Sequence, residues 1–156
     1  LNNYSRIIND VVLSYQSYLL NNEIGLESRF KGAFNFELEG SYSFNDLSSD
    51  NLENRFENWT ANGSTELRFF KHFTWRTNVE YTYFKNQSSG EANDFLIANS
   101  SLEYWKESTA WTFKIQLTNA FDTDIKFSNS FNQFQSIENR RFVQPRILLF
   151  AVIYNL

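Results

Sequence analysis

The chain has 156 residues and a formal net charge of −4, about one domain's length and without the basic balance that favours nucleic acid. With no cysteine and a single histidine, a disulfide frame, a thiolate metal site and a cysteine nucleophile are excluded. Aromatic residues make up 19% of the chain, yet mean hydropathy is negative and no apolar run approaches the roughly 20 residues of a membrane helix. That combination fits transmembrane β-strands, which are apolar on one face only.

Residues 1–17 alternate poorly and read as an outer loop leading into a strand. Residues 18–156 read as antiparallel barrel strands. From Tyr18 to Phe30, Leu20, Ile24 and Leu26 oppose Asn21, Glu23 and Glu27, the period of two expected of a strand. Lys31-Gly32 predicts a short turn. Phe34, Phe36, Leu38, Tyr42 and Phe44 then share a face against Glu37, Glu39, Ser41 and Ser43. The polar stretch 46–54 predicts a longer loop.

The next strand runs from about Phe56 to Phe70, with Trp59, Ala61, Leu67 and Phe69 on one face and Asn58, Asn62, Glu66 and Arg68 on the other. Lys71-His72 predicts a tight turn. Phe73, Trp75, Val79, Tyr81 and Tyr83 then alternate with Arg76, Asn78 and Glu80, before a longer loop over 86–93. Residues 95–105 alternate again, and a short turn over 106–109 leads to Trp111, Phe113, Ile115 and Leu117, the cleanest alternation in the chain. The longest loop is expected over 122–139, before a terminal strand over 142–156 in which Leu148, Phe150, Val152, Tyr154 and Leu156 share a face.

Two regularities favour a membrane barrel over a soluble sheet with one wet face. Connections alternate short and long, as periplasmic turns and outer loops do. Charges such as Glu27, Arg29, Arg76 and Lys114 fall on the polar face, while rings near strand ends, including Phe34, Phe73, Trp75, Tyr83, Trp105 and Trp111, suit an interfacial girdle. The expected strands, roughly 11–15 residues long, exceed the usual 5–6 of soluble sheets. About seven are expected. An even number starting from 8 closes a single-chain bacterial barrel, so either residues 1–17 supply an eighth strand or the sequence is the carboxyl-terminal third of a larger barrel. Position 1 is Leu and no signal-peptide pattern follows it, so the sequence reads as a mature protein or a fragment, and the strand count favours a fragment.

Phe142-Val143-Gln144-Pro145-Arg146 followed by ILLFAVIYNL resembles the carboxyl terminus of Bacteroidota TonB-dependent outer-membrane receptors. Those proteins often close with a Gln-Pro-Arg-like step, an apolar strand and a Tyr-Asn-aromatic ending; here Leu156 stands where the family usually has Phe. Asn119-Ala120-Phe121-Asp122 looks like the family's Asn/Asp-aliphatic-aliphatic-Asn/Asp step from strand to loop. The resemblance implies the last third of a 22-stranded barrel with a plugged lumen, located in the outer membrane among lipid and lipopolysaccharide. It further implies import of a nutrient ligand, TonB engaged through an amino-terminal part outside these residues, and in some relatives a surface lipoprotein partner. The terminal strand would close the barrel against its first strand.

No catalytic, cofactor-binding or metal-ligating residue is assigned, and no enzyme activity is expected. His72 sits in a short turn. Glu37 and Glu39 lie two apart on one face, the spacing of an acid–base pair, but are read as pairing with Arg29, Arg68 and Arg76 on neighbouring strands. Asp46, Asp50 and Glu53 share an outer loop that reads as solvated, with divalent binding as the alternative. The second reading of the whole chain is a small eight-stranded barrel of structural or adhesive role. A third, a lipase- or protease-type barrel enzyme, lacks any acid, base and nucleophile grouping.

Overall fold

The computed structural model of the protein describes residues 2–8, 11–28, 30, 33–49, 52–131 and 136–155. They form ten strands: β1 (Asn2–Ile8), β2 (Val11–Glu27), β3 (Phe34–Ser49), β4 (Leu52–Phe69), β5 (Phe73–Asn86), β6 (Ala92–Trp105), β7 (Trp111–Thr118), β8 (Ile125–Phe131), β9 (Ser136–Phe142) and β10 (Ile147–Tyr154). β1 to β7 and then β10 make one antiparallel eight-stranded sheet in that order, and β8 and β9 make a separate hairpin between β7 and β10. Among the described residues there is no helix long and apolar enough to cross a membrane.

The register carries the alternation from strand to strand. Leu38 faces Gly63, Gly63 faces Val79 and Val79 faces Ala98. Further along, Ile115 faces Phe150 and Phe113 faces Val152. Directly opposed residues share a face, and each good cross-strand pair adds roughly 0.2–1 kcal/mol. The apolar residues read from sequence on seven separate strands therefore lie on one continuous surface. The polar residues form the other.

All seven expected strands are present, but the connections differ from the expectation. Residues 1–17, read as a loop, hold β1 and the first part of β2, paired from Asn2↔Ser17 to Ile8↔Val11. The loop over 46–54 is instead a continuation of the β3–β4 hairpin, paired out to Ser49↔Leu52. The loop over 86–93 shrinks to 87–91, and that over 122–139 contains β8 and β9. The terminal strand begins at Ile147 rather than at 142; Phe142 belongs to β9. Backbone pairing does not require an apolar face, so the hairpins run on past the point where hydrophobic alternation stops. Lys31, Gly32, Arg29, Asp50 and Leu156 lie outside the described residues.

A small core forms at the far end of these hairpins, on the polar face. Leu47, Phe56, Phe84 and Phe95 are buried there, with the Phe56 and Phe84 rings stacked at 6.0 Å. At the other end, β10 finishes beside the β6–β7 turn, where Asn155 N donates to Ala110 O at 2.8 Å. The last strand thus ends on the side of the 28–33, 70–72 and 106–110 connections.

Candidate functional site

The apolar face is a belt of defined height. Phe34 to Phe44, Trp59 to Phe69 and Phe73 to Tyr83 each cover ten residue steps without a charge on that face. Ten steps of about 3.4 Å make about 34 Å of strand, or about 25 Å of height at the roughly 40–45° tilt of barrel strands, which is the height of an outer-membrane barrel's apolar band. Beyond the belt the same face turns charged: Phe44 is followed by Asp46, which opposes Arg55, and Tyr83 by Lys85, which opposes Glu57.

Rings mark both rims. At the turn end Phe69 stacks on Phe73 at 5.4 Å, Phe73 meets Tyr104 at 5.0 Å, and Trp111 meets Tyr154 at 4.7 Å. At the far end Tyr42 meets Trp59 at 4.4 Å and Tyr18 meets Phe44 at 6.2 Å. Trp105, grouped with these rings by sequence, opposes Thr112 on the polar face instead. Three polar side chains inside the belt bond one another: Trp75 Nε1 donates to Ser100 Oγ at 2.7 Å, and Thr77 Oγ1 lies 3.1 Å from the same hydroxyl. Between the rims the surface is exposed and apolar, with Ile24 77% and Phe150 66% accessible. A continuous patch of this extent is far larger than monomeric soluble proteins leave open.

The polar face is a wall of ion pairs and amides. Arg76 Nε bonds Glu66 Oε2 at 2.7 Å and its other end reaches Glu103 at 3.7 Å, while Arg68 holds the second Glu66 oxygen at 2.7 Å. Arg68 and Arg76 therefore serve Glu66 and Glu103, not Glu37 and Glu39 as read from sequence. Glu37 and Glu39 line an open hollow of about 350 Å³ with Asn62, Asn78, Glu80 and Asn99. Ser64 also borders it. Asp46 and Glu53 share Arg55, at 3.0 and 2.8 Å, and the Asp46 hydrogen bond above all holds that guanidinium's pKa above its ordinary value. These carboxylates therefore sit on a paired hairpin rather than in a loop, with the Glu53 side chain still 59% exposed. His72 sits in the β4–β5 turn with its ring edge-on to Tyr104 at 6.0 Å. Among the described residues no three His, Asp or Glu side chains gather as a metal site needs.

Sequence reasoning missed the most buried polar side chain. Asn119 is fully buried: its Nδ2 donates to Thr123 O at 2.9 Å and Gln144 O at 3.0 Å, its Oδ1 accepts from Thr123 N at 3.0 Å, and its own N donates to Asn99 Oδ1 at 2.9 Å. Nearby, Arg146 N donates to Asp122 Oδ1 at 2.9 Å. The two motif stretches that carry the family resemblance are therefore bonded to each other. The only hint in the sequence was the Asn-x-x-Asp spacing itself.

The β8–β9 hairpin rises from this knot and leans on the polar face. Lys126 pairs with Glu80 and lies over the Phe95 ring at 5.3 Å.

Compared with protein-family profiles, curated proteins and solved structures, the chain matches none. What it does rests on the two faces.

Proposed function

We propose that this sheet is wall of a transmembrane β-barrel in a bacterial outer membrane, and that the barrel is a TonB-dependent receptor importing a nutrient ligand. The belt carries the first half of this reading. An exposed, charge-free apolar band about 25 Å high, rimmed by rings on both sides and backed by a charged face, is what lipid on one side and an aqueous lumen on the other require. In this reading the turn end and the carboxyl terminus face the periplasm, and the extended hairpins stand outside the membrane.

The receptor reading is supported by the bonded pair of motif stretches, 119–122 and 142–146, and by the open edges of the sheet. β1 pairs only with the far part of β2, so the belt part of β2, residues 18–27, has no described strand along its outer edge. A larger barrel would fill that edge with another strand. The small eight-stranded barrel remains the second reading because the sheet has eight strands, the smallest number that closes; it requires β10 to pair along residues 18–27.

The intact mass of the native protein extracted from outer membranes separates the two. A mass several times 18.5 kDa is the expected result. A mass near 18.5 kDa would end the receptor reading and leave the small barrel.

A further inference from the structure

We infer that the rim between the β4–β5 and β6–β7 turns binds the phosphate of a lipid headgroup. The inference rests on the membrane-wall reading above and goes beyond it by assigning a ligand to a place. Trp105 N donates to His72 O at 2.9 Å and ties the two turns side by side. Between them opens a hollow of about 390 Å³ lined by Lys71, His72, Trp105, Lys106, Glu107 and Ser108.

The hollow reaches from the polar face, where Trp105 lies, round to the turn-end row of rings, since His72 meets Tyr104 and Tyr104 meets Phe73 of that row. Phe70 meets Phe69 of that row at 5.6 Å and is 81% exposed, its φ of 49° and the 63° of Lys71 turning the chain sharply there. Rings and two lysines at the edge of an apolar belt suit the boundary between acyl chain and headgroup: rings sit at the boundary and lysines extend toward the phosphates. Lys71 and Lys106 supply two positive charges to one hollow, and Ser108 a hydroxyl donor. The opposite end of the sheet mixes both signs, with Glu57, Asp94, Asp122 and Asp124 beside Arg55, Lys85, Lys126 and Arg146. Glu107 adds one carboxylate, which suits a headgroup that carries an ammonium beside its phosphate.

The same phosphate chemistry is available from lipid and from free phosphate, and titration of the full-length protein in detergent, read by native mass spectrometry, distinguishes them. The probes are phosphatidylethanolamine, phosphatidylglycerol and inorganic phosphate. Lys71→Gln/Lys106→Gln is expected to weaken the lipid adduct by about tenfold or more, with Lys71→Arg/Lys106→Arg restoring it and Lys85→Gln at the far end leaving it intact. Inorganic phosphate failing to displace the lipid assigns the site to the headgroup. Displacement by inorganic phosphate, lost in the Gln pair, assigns it to soluble phosphate. Unchanged binding of every probe in a Gln pair that still runs as a folded barrel on unheated gels overturns the inference. Failure of the wild type to fractionate with outer membranes would instead remove the wall reading, a separate result.

Discussion

The side chain of Asn119 and the carbonyl of Gln144, 25 residues apart, meet in a hydrogen bond of 3.0 Å in which the Asn119 amide is wholly shielded from water. That bond joins the end of β7 to the start of the segment feeding β10, and the bonds to Thr123 close the root of the β8–β9 hairpin in the same place. Asn119 also has a φ of 49°, a left-handed conformation that Asn tolerates better than most residues. One residue therefore supplies both the bend and the bonds.

Replacing it separates those two roles. Asn119→Gly keeps the bend but leaves three backbone partners without their side chain, and a buried group left unpaired costs about 1–3 kcal/mol. Asn119→Ala should cost about a further 1 kcal/mol for the left-handed backbone. Thermal unfolding of the purified protein reads both. Equal midpoints for wild type and Asn119→Gly would show that the knot contributes nothing to stability.

The two faces should respond oppositely to charge. Ile115 and Val152 lie centrally on the belt, opposite Phe150 and Phe113, and a lysine near the bilayer midplane costs roughly 2–4 kcal/mol. With the sheet as membrane wall, as proposed above, Ile115→Lys and Val152→Lys should lower the folded fraction in outer membranes, whereas Gln116→Lys, on the polar face between Ser101 and Leu149, should insert normally. Thr112 shares that face but is only 8% exposed, so it makes a poor control. Similar yields for all three lysine variants would remove the assignment of the belt to lipid.

Glycines at two positions predict opposite signs. Gly90 has a φ of 76° with nothing within 4 Å of an added Cβ, so Gly90→Ala should destabilise by about 1 kcal/mol through backbone strain alone. An added Cβ at Gly25 would meet only ordinary contacts, the nearest 3.8 Å away. Gly25→Ala removes chain freedom from the unfolded state and should be neutral or stabilising by up to about 1 kcal/mol. Melting both variants side by side checks the pair, and a stabilising Gly90→Ala would contradict the turn geometry.

What could be read in advance follows from what makes a signal in sequence. Trp111, Phe113, Ile115 and Leu117 alternate against Thr112, Lys114 and Gln116, so both the strand and its face were legible. Residues 46–54 are polar at most positions, which erases the alternation although the backbones of Asp46 to Ser49 and Leu52 to Arg55 still pair. The same loss hid β8 and β9. Leu47 and Phe56 showed as apolar letters, but only the register places them on the polar face as a core. Asn119 was legible as part of a spacing and not as a buried group, because burial of an amide depends on partners such as Gln144 that are distant in the chain. The expected pairing of Glu37 and Glu39 with Arg68 and Arg76 failed for a related reason: Arg76 lies directly opposite Glu66, and register, not proximity in sequence, selects the partner.

The β8–β9 hairpin is held to the polar face by Lys126 and Glu80 and at its root by Asn119, and the two attachments should differ in weight. Lys126 and Glu80 are each more than a third exposed at the side chain, so their coupling in a double-mutant cycle should fall within about 0–1 kcal/mol. Lys126→Ala should therefore leave the protease resistance of the hairpin nearly unchanged, while Asn119→Gly, acting on three buried bonds, should expose it to cleavage in the otherwise folded protein. Limited proteolysis of the two variants with mapping of the cut sites decides it. Cleavage appearing with Lys126→Ala and not with Asn119→Gly would mean that the ion pair, rather than the root, positions the hairpin.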